Sequence, residues 1–209
     1  MENPCSKRRC VVTAVYVVVT LLIGLAAAFL PLNQAECGFI AYLQALAQKN
    51  LGITFFKVLT YLGDLYVWVI FTLIYFFYSY FKSRKHFNSA VELATFLITV
   101  SIFAYIFKEM FARPRPHCPN VTAYEQEADF SYPSGHVSRA TGAFAILSGK
   151  NRTTKTLTVI AIFLLSTSRI VLGAHYLTDI IGAVFLSLAA QNIANIAVSF
   201  LRLPERFPH

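Results

Sequence analysis

The chain has 209 residues, of which 56% are hydrophobic and 15% aromatic, only 13% carry charge, and the mean hydropathy is +0.57. A charged share well below the roughly 25% of ordinary globular proteins excludes a disordered chain, a disulfide-dense secreted mini-protein and a charged nucleic-acid-binding module. The formal net charge of +8 belongs instead in a membrane setting, where Lys and Arg mark cytoplasmic loops and meet anionic headgroups.

In chain order, the first apolar run goes from about Cys10 to Leu32, preceded by Lys7, Arg8 and Arg9. It is long enough for a spanning helix, which needs about 20 residues. Ala26-Ala27-Ala28 resembles a cleavage site, but the run is too long for a signal-peptide core, so an uncleaved span is expected. Residues 33–62 are mixed in polarity and predict an interfacial amphipathic segment on the outer face. Further spans are predicted at about Leu65–Phe81, Ala90–Phe107, Ser134–Gly149, 156–173 and 177–201, with a polar, Pro-containing stretch at 112–133. The Ser134–Gly149 span is short, only about 24 Å at helical rise.

The expected architecture is thus all-α: a single membrane domain over 1–209, with six transmembrane helices and an interfacial helical segment between the first two. Six spans put both termini on one side. That side holds Lys7, Arg8, Arg9, Lys82, Arg84, Lys85, Lys150, Arg152, Lys155, Arg202 and Arg206, eleven of the 18 basic residues, so it is read as cytoplasmic. Cys5 and Cys10 fall there and are expected to stay reduced. Cys37 and Cys118 fall on the outer face, where a disulfide persists if the fold brings them together; spacing alone fixes no distance.

Ionisable residues at membrane depth are costly and mark functional sites. Three clusters stand out: Lys108 with Arg113 and Arg115; Ser134-Gly135-His136 after Pro133; and Ser168-Arg169 with His175 and Asp179. By span parity all three reach the outer face. Lys108, Arg115 and Arg169 together call for a multivalent anion, and the planar fork of arginine suits phosphate oxygens. Ser134 can cap the helix that follows, and Gly135 lets a backbone amide approach an anion at the positive helix end. Asp179, four residues after His175, shares its helical face and can fix its tautomer, leaving the other nitrogen free to attack phosphorus. His136 can then protonate the leaving oxygen. This set spells phosphoryl transfer through a phosphohistidine.

Plainer roles compete for the other polar residues. His86, His117 and His209 are read as ordinary polar side chains, Arg113 as a loop arginine, Lys57 and Asp64 as interfacial groups, and Glu92 as solvated. Glu125, Glu127 and Asp129 are read as solvated surface in preference to an acidic lid. Two His and one Asp also compose a possible metal triad, but three neighbouring cations repel a metal ion, so neither metal nor cofactor is expected.

Lys108 to Pro116 fits KxxxxxxRP, Pro133 to His136 fits PSGH, and Ser168 to Asp179 fits SRxxxxxHxxxD. In this order they resemble the signature of the type 2 phosphatidic acid phosphatase superfamily, the integral membrane lipid phosphatases, over about a third of the chain. The resemblance implies His175 as nucleophile, Asp179 as its orienting carboxylate and His136 as general acid. It also implies Lys108, Arg115, Ser134, Gly135 and Arg169 as the phosphate-binding set, metal independence, and a site at the outer or lumenal face of a six-helix core. The stretch PSGHVSRA is similar to that of the polyisoprenoid diphosphate phosphatases. Arg139 is therefore either a second-phosphate contact, with Arg113 assisting, or a residue paired with a Glu or a backbone carbonyl.

The expected function is a membrane lipid phosphatase whose partners are membrane lipids and a lipid phosphate substrate, not nucleic acid. Undecaprenyl diphosphate, phosphatidylglycerophosphate, phosphatidic acid and lipid A phosphates are candidate substrates. A lipid phosphotransferase using the same phosphohistidine is the alternative, and a small transporter a more remote one. The expected location is a bacterial plasma membrane with the site facing outward, or the endoplasmic reticulum in a eukaryote, where Asn120-Val121-Thr122 would be a glycosylation sequon.

Overall fold

The computed structural model describes residues 7–50, 52–149 and 151–201; Cys5, Lys150, Arg202, Arg206 and His209 lie outside them. All regular structure among the described residues is helical. The order is α1 (Lys7–Phe29), α2 (Asn33–Asn50), α3 (Ile53–Thr60) running into a 3-10 turn (Tyr61–Gly63), α4 (Leu65–Lys82), α5 (Arg84–Phe111), α6 (Gly135–Ser148), α7 (Arg152–Val171) and α8 (Leu177–Leu201).

Short polar side chains set several of the boundaries. Asp64 caps α4 by accepting from the Tyr66 amide at 2.9 Å, and Asn151 caps α7 by accepting from Thr153 at 2.8 Å. Ser83 caps α5, whose start therefore precedes the expected Ala90. At its other end α5 closes on Ala112 in the left-handed conformation, φ 43°, which turns the chain into the long 112–134 connection.

The helix α8 is the axis of the bundle and packs against α1, α5 and α6. Its contact face is built from small residues: Ala183, Ser187, Ala190 and Ala194 are buried, allowing the close helix approach that membrane bundles favour. Leu93, Phe96, Leu97 and Val100 of α5 fill the core against Ala140 and Ala143 of α6 and Leu186 of α8. The opposite helix faces stay apolar yet exposed, for instance Val15, Leu22, Ile74, Phe77, Ile102 and Phe163. Such faces suit hydrocarbon as surroundings, because the helices already satisfy their own backbone groups.

Among the described residues five helices, α1, α4, α5, α7 and α8, are long and apolar enough to cross a membrane. The expected span at Ser134–Gly149 is α6, a helix of only 14 residues, about 21 Å at helical rise. The expected interfacial segment is two helices broken at Gly52, where φ is +74°. One face of α2, with Ile40, Gln44 and Ala47, is buried. Gln44 Nε2 donates to the carbonyls of Thr122 (2.7 Å) and Val171 (2.9 Å), and its Oε1 accepts from the Thr122 amide. Polarity in this segment therefore holds the 112–134 connection and α7 as well as facing outward.

Cys37 and Cys118 form a disulfide, with Cα atoms 5.6 Å apart, tying α2 to that connection. Cys10 is disulfide-bonded too, which corrects the expectation of a reduced thiol. That expectation rested on compartment, which says nothing about which thiols the fold brings together. Glu92, expected to be solvated, accepts from Asn195 Nδ2 at 3.2 Å, and Asn195 accepts from Arg9. The three residues link α5, α8 and α1.

Candidate active site

The three polar clusters come together where the C-terminal ends of α5 and α7 meet the N-terminal ends of α6 and α8. His175 sits in the turn between α7 and α8 and is fully buried. Its Nε2 lies 3.3 Å from Arg115 Nη1. Its Nδ1 faces Asp179 Oδ2 at 3.5 Å, without a well-directed hydrogen bond. Burial, then the positive charges of Arg115 and Arg169, push the His175 imidazole well below its ordinary value, which keeps it neutral and nucleophilic near pH 7.

Asp179 is held from several sides. Its Oδ2 accepts from the Tyr176 amide at 2.9 Å and its Oδ1 from Arg113 Nη1 at 2.5 Å. Arg113 also donates to Thr178 Oγ1 (2.6 Å), to Asn33 Oδ1 (3.0 Å) and to Glu36 Oε2 (2.6 Å), and it stacks on the Tyr176 ring at 4.0 Å. Sequence reasoning had this arginine as a loop residue or a second-phosphate contact. The structure corrects both: the side chain is buried and both terminal nitrogens are taken by carboxylates. Glu36, missed entirely, accepts from the Thr178 amide at 2.8 Å and so caps the start of α8 from a different helix. It is the first acidic residue after Glu2, the one sequence signal that singles it out.

The expected phosphate-binding cations are brought together. Arg169 is fully buried and Lys108 nearly so, while Arg115 donates to the Ala174 carbonyl at 2.8 Å beside His175. Ser134 precedes α6 but does not cap it through its side chain. Its buried Oγ, Arg169 Nε and His175 Nδ1 have no hydrogen-bond partner among the described residues. At Gly135 a Cβ would meet Arg139 Nη1 at 3.0 Å. Arg139 Nε donates to the Gly63 carbonyl at 3.2 Å, 76 positions away in the chain. His136 packs so closely on Gly63 that a Cβ there would lie 2.6 Å from its own, which sets the first turn of α6 against the turn before α4.

The acidic stretch of the 112–134 connection is not merely the solvated surface expected: its carboxylates, though partly exposed, reach back to the cations. Glu125 pairs with Arg169, Glu127 with both Arg169 and Arg115, and Asp129 with both Arg115 and Lys108. Against the opposing effect of burial, Arg169 foremost holds the Glu127 carboxyl below its usual range. The alternation of acids at 125, 127 and 129 was the visible signal; its targets lie far away in sequence. Glu125, Glu127 and His136 bring potential metal-ligand atoms within 4.8 Å of one another, but Arg169 donates to both carboxylates. A guanidinium in that position competes directly with a cation.

Among the expected bland residues, His86 accepts or donates at Ser83 Oγ (2.7 Å), and Lys57 lies 5.9 Å from the centre of the Tyr124 ring. His117 lines a cleft of about 590 Å³ with Asn33, Gln34, Arg115, Asn120 and Tyr176, among others. That cleft includes Arg115, whose Nη1 is the atom 3.3 Å from His175 Nε2.

A bundle of apolar helices with a buried cationic cluster around two histidines defines the class: a multi-pass integral membrane protein with a polar site at one end of its helices. The PAP2 superfamily model matches residues 89–202, more than half of the chain, and the chain belongs to that family. Its fold is similar to the crystal structure of a transmembrane PAP2-type phosphatidylglycerolphosphate phosphatase from Bacillus subtilis, with a TM-score of 0.74 and 20% identity over 94% of this chain and 98% of that one. It is also similar to LpxE from Aquifex aeolicus, with a TM-score of 0.67 and 23% identity over 80% of this chain and 96% of that one. No curated protein matches the sequence.

Proposed function

We propose that the protein is a metal-independent membrane lipid phosphatase, cleaving a lipid phosphate or diphosphate through a phosphohistidine on His175. The observation that carries this is the placement of a neutral, buried imidazole with one nitrogen toward Asp179 and the other beside Arg115. His175 Nε2 attacks phosphorus, and the bond from phosphorus to the lipid oxygen breaks. His136 gives its proton to that oxygen. Lys108, Arg115 and Arg169 stabilise the charge on the transferring phosphoryl group, where preorganised donors contribute most. Water then attacks the phosphohistidine with His136 as base, releasing inorganic phosphate and restoring both imidazoles. Asp179, held by Arg113 and Tyr176, stabilises the charge on His175 in the phosphoenzyme.

In this reading α6 completes a six-span bundle, both termini are cytoplasmic, and the reaction takes place at headgroup depth on the outer face. The cleft beside Arg115 gives a headgroup room. Undecaprenyl diphosphate, phosphatidylglycerophosphate, phosphatidic acid and lipid A phosphates are the candidate substrates. A lipid phosphotransferase would use the same intermediate and differ only in its acceptor.

Phosphate release from these lipids by detergent-purified protein in EDTA, with His175→Ala alongside, tests the proposal. Release that EDTA spares and the variant abolishes is expected, with trapped phosphoenzyme labelled on histidine. Release that persists in His175→Ala would overturn it. Phosphorylated lipid product in place of free phosphate would select the transferase.

A further inference from the structure

The three cations of the proposed phosphate site are matched by three carboxylates from one short stretch of chain. Glu127 bridges Arg169 and Arg115, Asp129 bridges Arg115 and Lys108, and Glu125 holds Arg169. The cations are largely buried, whereas the acids are partly open to the outside, Asp129 to 52%. The stretch is fastened at both ends. Tyr124 N donates to the Leu172 carbonyl at 2.9 Å, and Ser131 N to the Arg113 carbonyl at 2.9 Å. Between these two points the attachments of the stretch run to Arg115, Arg169 and Lys108: the acid side chains, and the carbonyls of Asp129 and Phe130, which accept from Arg115 Nε at 2.9 Å and Lys108 Nζ at 2.6 Å. Such a strap can lift when an incoming anion takes over these three cations, without loosening the rest of the fold.

The chemistry of the surroundings gives this a consequence. A site at headgroup depth is bathed in phospholipids whose phosphodiesters carry one negative charge and two unesterified oxygens. Bare, the cluster would hold them. A phosphomonoester carries about −1.5 to −2 near pH 7 and three such oxygens, enough to meet Lys108, Arg115 and Arg169 together. With the strap seated, an incoming anion must replace carboxylates that already neutralise the cations. A monoanion replacing all three carboxylates leaves two of the three buried cations unpaired, which is costly; a dianion leaves one, and a more highly charged diphosphate fewer still. Building on the phosphatase reading, the geometry points to Glu125, Glu127 and Asp129 as specificity-determining residues: a carboxylate gate that rejects bulk phosphodiester lipids and yields to phosphomonoesters and diphosphates.

Hydrolysis of phosphatidic acid in neutral detergent micelles, doped with phosphatidylglycerol as a phosphodiester competitor, tests the gate in Glu127→Gln and in the Glu125→Gln/Asp129→Asn pair. Phosphatidylglycerol should inhibit the variants at an inhibition constant about tenfold lower than for the intact chain, while KM for phosphatidic acid without competitor falls, because like-charge opposition is relieved. An unchanged inhibition constant in both variants, or a KM that rises in both, overturns the gate. A second arm needs no turnover: thermal shifts by inorganic phosphate and by dimethyl phosphate. Dimethyl phosphate stabilising the variants but not the intact chain supports the gate even if no lipid is hydrolysed, an outcome that would sink the phosphatase reading alone. Equal response to dimethyl phosphate in all three proteins sinks the gate while leaving hydrolysis untouched.

Discussion

Arg113 Nη1 donates to Asp179 Oδ1 at 2.5 Å while its Nη2 reaches Glu36 Oε2 at 2.6 Å. One guanidinium thus joins the carboxylate that faces the proposed nucleophile to a helix 77 positions away in sequence. All three groups are buried, so removing the cation leaves two carboxylates without compensation. Breaking a buried pair in this way costs about 3–5 kcal/mol. Arg113→Ala should therefore unfold at a markedly lower temperature in detergent and lose most phosphate release. Arg113→Lys, which keeps the charge but not the fork, should recover part of the stability and little of the rate. Equal melting temperatures for Arg113→Ala and the intact chain would remove this role.

The Cys37–Cys118 disulfide closes a separation of 81 residues and fastens α2 over the connection that carries the acidic strap. A bridge of this kind typically contributes about 2–4 kcal/mol. Cys37→Ser/Cys118→Ser should melt earlier by a corresponding margin, and reductant should lower the melting temperature of the intact chain by more than that of the pair variant, which still carries the disulfide at Cys10. Alkylation of both thiols in unreduced, native protein would contradict the linkage.

How much of this was legible in the sequence follows from distance along the chain. The helix order and the three clusters were readable because each sits within a few residues of an apolar run, and parity carries all three to one face. His175 and Asp179 were readable as a pair because four positions on one helical face bring them together. Glu36 was not, since its partner Thr178 lies 142 positions away and meets it only once α2 folds over the start of α8. Arg113 looked like a loop residue for the same reason. The acids at 125, 127 and 129 looked solvated because charged residues in a polar, Pro-containing stretch usually are; only the fold places buried cations beneath them. The short α6 was read at nearly its observed length, Ser134–Gly149 against Gly135–Ser148, because Pro133 and Gly149 punctuate it.

Tyr132 anchors the connection by wedging between α1 and α8, with its hydroxyl donating to the Thr20 carbonyl. The wedge needs a missing side chain on each helix. A Cβ at Gly182 would lie 2.3 Å from Tyr132 Oη, and one at Gly24 would lie 2.8 Å from its ring and 2.5 Å from Phe111. Overpacking of this kind costs about 1–3 kcal/mol, so Gly182→Ala should destabilise by that order and disturb the neighbouring Pro133-Ser134-Gly135-His136 turn. In a Tyr132→Ala background the same substitution has room and should cost much less. A double-mutant cycle on thermal unfolding checks this; additive effects would mean the two residues do not meet.

Asp129 supplies a prediction in pH. Although burial pushes its carboxyl up, Lys108 and then Arg115 hold it down at about 2, against an ordinary value of 3.8. A folded-state value below the unfolded one means that the charged form favours the fold. That contribution is complete above the ordinary value and disappears as pH falls from about 4 toward 2. The carboxylate is half exposed, so the contribution is about 1 kcal/mol or less. The melting temperature of the intact chain should exceed that of Asp129→Asn by a small constant margin from pH 7 to pH 5, and the margin should close between pH 4 and pH 2. A margin that instead widens as pH falls would show that the carboxylate is not paired with Lys108 and Arg115 in the folded protein, and the seating of the strap on the cation cluster would fall with it.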